Sequence, residues 1–311
     1  HRVDRRQRQM CIRDSFKAGD KILLNNNVYG GTYRFVSNVF ADRGLEYELV
    51  DDFNSYDLSK AEKNVKAVFL ETPSNPLLDI TDIARLTEQA KRRGILVIVD
   101  NTFMTSYYQK PLDLGADLVV YSATKFYSGH SDILAGLVIL NDDALYTRLK
   151  FLQNTLGGIL SASDSYLLVR GIRTLSVRLD RHQENALRAA DYLYHHEAVR
   201  DVYYPGLPSH HGYEIQKKQA KGFGAVLSIR LKDGYDTKTF VDSLTMFGLA
   251  VSLGGVESLI CHPATMTHES YPRELQEKLG IDEKLIRLSV GIENGDDLID
   301  DLKQALNKAK R

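Results

Sequence analysis

Two kinds of hydrophobic patterning alternate along this chain. Short apolar runs occur at KILLNN (21–26), AVFLE (67–71), ILVIVD (95–100), ADLVVYS (116–122) and AGLVIL (135–140). They are nearly continuous, as in strands buried on both faces. Between them the spacing turns helical: after Thr81, a candidate N-cap, Ile83, Leu86 and Ala90 recur on one face through AKRRG (90–94). Such strand–helix–strand alternation predicts an α/β domain with a mainly parallel sheet. From Asp164 to about Glu197 the pattern is helical throughout. A Pro- and Gly-rich loop follows at YYPGLPSHHG (203–212), and GFGAVLSIRL (222–231) and LIRLSVGIE (285–293) then alternate apolar with polar, as half-buried strands do. These features divide the chain into a tail (1–15), a large domain (16–183) and a smaller α+β domain (184–311). The end, DDLIDDLKQALNKAKR, reads as an amphipathic, solvated helix with its cations at the favourable terminus.

Charge changes the picture little. With 40 basic and 41 acidic residues the net charge is −1, so nothing points to nucleic acid or an anionic membrane. No apolar run is long enough to cross a bilayer. Cys11 and Cys261 are too few for a disulfide framework or a metal quartet, which suits a reducing, cytoplasmic setting. His262 and His268 lack a third metal ligand at useful spacing and suit a loop near a substrate entrance. His182, His195 and His196 fall in helical stretches and are expected at the surface or an interface. The basic opening HRVDRRQRQMCIRDS (1–15) resembles translated sequencing-adapter read-through, or else a disordered tail, and is set apart from the fold.

The candidate chemistry lies where the strands end. In open α/β sheets ligands bind beyond the carboxyl ends of the strands. KILLNN delivers Tyr29, AVFLE delivers Glu71 and Asn75, and ILVIVD delivers Asp100. VVYSATKFYSGHSD (119–132) delivers Ser122, Thr124 and Lys125. Each has a plain reading alone: core, turn, cap or solvated side chain. Together they suit pyridoxal 5'-phosphate, whose aldehyde bonds a lysine amine and whose ring nitrogen needs a carboxylate. Lys125 and Asp100 fit those roles. Tyr29 can lie against the ring, Ser122 and Thr124 can hold the phosphate, and Asn75 can bond the ring hydroxyl. Arg287, set among Ile286, Leu288 and Val290, can grip an amino-acid carboxylate bidentately.

Six motifs then carry a resemblance: VYGGTYR (28–34), ETPSNPLL (71–78), VDNTF (99–103), YSATKFYSGHSD (121–132), VSLGGVESL (251–259) and IRLSVGIE (286–293). In them, from about Phe16 to the C-terminus, the chain resembles the Cys/Met-metabolism family of pyridoxal-phosphate enzymes, the transsulfuration group of cystathionine γ-synthase, γ-lyase and β-lyase. The resemblance implies an aminotransferase-like, fold type I α/β architecture. It implies Lys125 as the Schiff-base lysine, Asp100 as pyridinium partner, and Tyr29 as stacking residue and proton donor or acceptor. Asn75 then contacts the ring, Ser122 and Thr124 the phosphate, and Ser252 and Arg287 the substrate carboxylate. A small sulfur amino acid as substrate and a homo-oligomer, a dimer of dimers, are also implied. The family's N-terminal Tyr-x-Arg segment and its Ser-Gly-Met loop have no counterpart before Phe16. The chain as given is therefore expected to bind the cofactor poorly and to assemble imperfectly.

Within the family, Val251 replaces the glutamate usual before SLGG, and Gly31 stands where methionine γ-lyases carry cysteine. That combination is closest to bacterial cystathionine lyases, so a carbon–sulfur lyase is expected, with cystathionine γ-synthase as the alternative. A distant alternative is a short-chain dehydrogenase, because Tyr121 and Lys125 fit Tyr-x-x-x-Lys. That pair needs one helix face, whereas Tyr121 closes a strand.

Overall fold

The computed structural model describes residues 16–269 and 271–311. The expected tail at 1–15 lies outside them. Six strands form the first sheet: β1 (Lys21–Asn25), β2 (Glu46–Val50), β3 (Val65–Glu71), β4 (Leu96–Asp100), β5 (Leu118–Ser122) and β6 (Gly136–Leu140). Their order is β2-β1-β3-β4-β5-β6. All neighbours are parallel except β5 and β6, which pair antiparallel. The continuous apolar runs have the expected cause, since successive residues feed opposite cores. Ile22, Leu24, Phe69 and Ile98 pack on one side, whereas Leu23, Val68, Leu70 and Val99 pack on the other against Ile83, Leu86 and Ala90. The chain leaves β1 toward β2 on one side and β3 toward β4 on the other. The topological switch therefore lies between β1 and β3, beside the turns that follow them.

Helices α1 (Gly30–Phe35), α2 (Ile83–Lys91) and α3 (Thr105–Tyr108) follow β1, β3 and β4 in turn. The cap of α2 is Asp82, not Thr81. The Asp82 carboxylate accepts from Arg85 N at 3.0 Å, while Thr81 N donates back to Thr72 Oγ1. Beyond β6 come α4 (Asp143–Leu156), α5 (Ala162–Arg173) and α6 (Leu175–Tyr194). The domain division expected at 183/184 falls within α6. His182, expected at a surface, is instead fully buried there, with Nδ1 at 2.6 Å from Val290 O. Burial lowers its pKa to about 4.

The second sheet runs β7 (Val199–Tyr203), β8 (Val226–Leu231), β11 (Leu285–Ser289), β10 (Leu259–Cys261), β9 (Gly248–Leu249). Helix α7 (Tyr213–Gln219) follows β7, α8 (Thr237–Ser243) follows β8, α9 (Arg273–Lys278) precedes β11, and α10 (Gly295–Ala309) ends the element order. The strands β8 and β11 are not half-buried, since every residue of each is buried. The alternation in their sequences is real, but its polar side meets the first sheet's turns instead of water. Ser228 Oγ donates to Pro76 O at 2.7 Å, and Arg287 reaches Asn75. The apolar side (Leu227, Ile229, Ile286, Leu288) packs into a core shared with Leu298, Leu302 and Leu306 of α10. Among the described residues no helix is long and apolar enough to cross a membrane.

Candidate active site

The end of each central strand is locked to its neighbour before it releases a site residue. At the switch point Glu71 N donates to Asn25 Oδ1 at 2.9 Å, and Asn25 Nδ2 donates back to Glu71 O. The Glu71 carboxylate then accepts from Tyr29 N at 2.8 Å, which fixes the start of α1. Asp100 closes β4. Its Oδ1 accepts from both the amide and the hydroxyl of Thr102, and Thr102 Oγ1 accepts from Ser122 N at 2.8 Å. One threonine thus couples the carboxylate of β4 to the end of β5.

Lys125 sits in the tight turn after β5, where its N–H donates to Ser122 O at 3.1 Å. A buried guanidinium braces the far side of this turn: Arg178 donates to Phe126 O and to Gly171 O, each at 2.8 Å. Gly129 (φ +71°) closes the turn, where a Cβ would lie 2.1 Å from Arg178 Nη1. The Thr124 hydroxyl accepts from Ala135 N at 2.9 Å and donates to Ala135 O at 3.3 Å.

Across the cleft, Lys125 Nζ donates to Ser252 Oγ at 2.8 Å. Arg287 Nη2 donates to Ser252 O at 3.0 Å, and its Nη1 donates to Asn75 Oδ1 at 3.0 Å. Its Nε is buried with no hydrogen-bond partner among the described residues. A buried arginine held by neutral oxygens, with donor capacity left over, is suited to an anion.

These groups share one cavity of about 370 Å³. Its wall includes Tyr29, Asn75, Asp100, Ser122, Thr124, Lys125, Ser252 and Arg287, and also Arg34, Glu71, Thr102, Leu134, Val251, Met266 and Thr267. All eight residues proposed from the sequence are thus brought together, from turns more than two hundred positions apart. Thr102 was missed, although the Asp-x-Thr spacing in VDNTF is a local turn signal that could have found it. Arg34 gave no separable signal. The CHPATMTH loop does reach the cavity wall through Met266 and Thr267, while His268 itself is fully buried beside Asn75.

The donor set fits pyridoxal phosphate: an amine, a carboxylate on a neighbouring strand, hydroxyls beside the amine and an exposed aromatic ring across from it. The dehydrogenase pairing does not fit. Tyr121 lies on β5 and not on a helix with Lys125, its ring is edge-on to Tyr127, and its hydroxyl accepts from Asn101 Nδ2 at 3.3 Å. Burial also raises its pKa, which keeps the phenol protonated. Among the described residues no cluster of three or more His, Cys, Asp or Glu could hold a metal.

Comparison with known proteins agrees with the geometry. A family model described as Cys/Met metabolism PLP-dependent enzyme matches residues 8–307. A cystathionine beta-lyase of Lactococcus lactis subsp. cremoris is 52% identical over 294 residues, which is 94% of this chain and 77% of that protein. The crystal structure of cystathionine gamma-lyase from Lactobacillus plantarum complexed with L-serine superimposes with a TM-score of 0.94 at 44% identity, covering 96% of this chain and 79% of that one. A cystathionine gamma synthase from Xanthomonas oryzae pv. oryzae, solved in complex with cystathionine, gives a TM-score of 0.94 at 43% identity, covering 97% and 78%.

Proposed function

This chain belongs to the family of Cys/Met metabolism PLP-dependent enzymes, and we propose that within it the chain is a carbon–sulfur lyase acting on cystathionine-like amino acids at Cβ or Cγ. The observation that carries this reading is the bridge at Ser252. One residue touches the Lys125 amine through its hydroxyl and the Arg287 guanidinium through its carbonyl. An amine and a carboxylate-binding cation so linked address the α-carbon and the carboxylate of one amino acid. The wall toward the side-chain end includes Leu134, Val251 and Met266, and Val251 is 60% exposed. Apolar groups there suit the thioether itself and offer no partner to a distal ammonium, so the reading includes a broad range of sulfur amino acids.

When bound, pyridoxal phosphate supplies an electron sink for charge developing at the substrate α-carbon. Each residue's task follows. Lys125 Nζ would hold the aldehyde and would take the substrate's α-proton, with Ser252 Oγ orienting the amine. Asp100, steadied by Thr102, keeps a proton on the ring nitrogen. Tyr29 would lie against the cofactor ring and exchange a proton with the sulfur leaving group. Ser122 and Thr124 bind the phosphate, Thr124 by giving up its long bond to Ala135 O. Arg287 would receive the substrate carboxylate with Asn75 beside it, and Asn75 would also meet the ring hydroxyl. We further read the protein as a cytoplasmic homo-oligomer, a dimer of dimers, organised as domains 16–183 and 184–311. Its buried free thiol, Cys261, and the apolar side chains exposed between Tyr146 and Val177 support that reading.

Two measurements test the proposal. Borohydride reduction of the cofactor-loaded protein should attach the cofactor to the peptide containing Lys125; labelling of another lysine would refute the site. Incubation with cystathionine should release pyruvate, homocysteine and ammonia, or 2-oxobutyrate, cysteine and ammonia. Turnover only of an activated homoserine ester with cysteine would replace the lyase reading by γ-replacement.

A further inference from the structure

We propose that His268 and Tyr271, on the loop between β10 and α9, are positioning residues that hold the Asn75 and Tyr29 turns of the first sheet through main-chain carbonyls. The inference rests on the roles given above to Asn75 and Tyr29. His268 Nε2 lies 3.2 Å from Asn75 O, and Tyr271 Oη donates to Val28 O at 2.8 Å, one residue before Tyr29. The two rings touch edge-on, with centroids 5.1 Å apart. Gln276 Nε2 donates to His268 O at 2.8 Å and to Tyr271 O at 3.3 Å, so the carbonyls of both residues are themselves held.

The chemistry at His268 permits one arrangement. A carbonyl only accepts, so Nε2 must carry the hydrogen toward Asn75 O. Burial first, and then the nearby Arg287 charge, lower the ring's pKa to about 4, so the imidazole is neutral near pH 7. A neutral ring with its proton on Nε2 must accept at Nδ1, where Thr267 Oγ1 lies 2.9 Å away and donates. Asn75 is thereby held at both ends, its carbonyl by His268 and its Oδ1 by Arg287. The turn before Tyr29 is held likewise, its carbonyl by Tyr271 and the Tyr29 amide by Glu71. Burial also raises the pKa of the Tyr271 phenol, which therefore remains a donor.

Two amide variants separate positioning from packing. Glutamine places its NH2 near the position of Nε2, whereas asparagine reaches only as far as Nδ1. The probe is L-alanine, an amino acid without a leaving group, titrated into the cofactor-loaded protein and followed by the cofactor's visible absorbance. H268Q should keep the alanine Kd within about threefold of wild type and H268N should raise it about tenfold, the effect of one buried hydrogen bond. Y271F should leave that Kd within about twofold but speed cofactor loss on dilution about fivefold. Independently of any ligand, 15N NMR of the unsubstituted protein should find the His268 proton on Nε2, with no titration above about pH 5. Equal Kd values for the two amide variants, unchanged cofactor retention in Y271F, or a proton on Nδ1 would overturn the assignment. A protein that behaves as expected here yet eliminates nothing from cystathionine would refute the lyase reading alone.

Discussion

Gly31 shows how little separates folding from function at the scale of one residue. A Cβ at this position would lie 2.4 Å from Tyr29 Cε1 and 3.1 Å from Cδ1 and Cζ. The Tyr29 ring, as it lies here, therefore occupies the space a Cβ would need. Gly31 is also the second residue of α1, where alanine is favoured over glycine by about 1 kcal/mol. The two effects oppose each other. G31A should hold or raise the melting temperature, while the displaced ring lowers turnover of cystathionine about tenfold. A variant that melts well below wild type, or turns over normally, would contradict this. Residues at this scale were legible from the sequence when chain direction fixed them. Lys125 and Asp100 follow strands whose ends must face the cleft in a parallel sheet. His268 and Tyr271 were not legible, because their partners lie 193 and 243 positions away.

At the scale of elements, the 72–81 segment is held in shape by charge. The Asp79 carboxylate accepts from Asn27 Nδ2 and from Ser74 Oγ, and lies 3.2 Å from His211 Nε2. His211 stacks on His210, with centroids 4.5 Å apart. The two histidines diverge: burial lowers His210 to about 4, whereas the bond to Asp79 raises His211. Burial alone would raise the Asp79 carboxyl, but His211, Asn27 and Ser74 together hold it below its ordinary value. Because the folded value of His211 lies above the unfolded value of about 6.5, its contribution is complete below that pH. It is lost as pH rises through the higher folded value. The Asp79 contribution is complete above about 3.9 and lost as pH falls through the depressed folded value. The pair therefore stabilises most between about pH 4 and about pH 6.5. In H211Q the melting temperature should fall by about 1–2 °C near pH 5.5 and match wild type near pH 9, as expected for a partly exposed ion pair. A deficit independent of pH would mean that His211 acts by packing. Strand positions were legible here because buried parallel strands are continuous apolar runs. The cap of α2 and the cover over β8 and β11 were not. Alternation tells which residues share a face, but not whether water or another domain meets it.

At the scale of the whole molecule, apolar surface is concentrated in one part of the chain. Between Tyr146 and Val177, across α4, α5 and the start of α6, several large side chains are exposed. They include Phe151, Ile159 and Val169, with Tyr166 70% and Val177 67% exposed. Single exposed apolar residues are ordinary, but so many within three consecutive helices suit a surface covered by another copy of the chain. The same region adjoins the site, because Arg178 of α6 braces the Lys125 turn while its chain neighbour Val177 is exposed with the apolar groups of α4 and α5. Assembly and active-site order should therefore respond together. Light scattering should give a multiple of the 35.1 kDa chain mass, and Y166E with V177E should shift it toward the monomer. That double variant should also lose cofactor faster on dilution, since the brace on the Lys125 turn loses its backing. A monomeric parent would remove the proposed interface. A dissociated variant that kept its cofactor as firmly as the parent would show instead that α6 supports the site from within one chain.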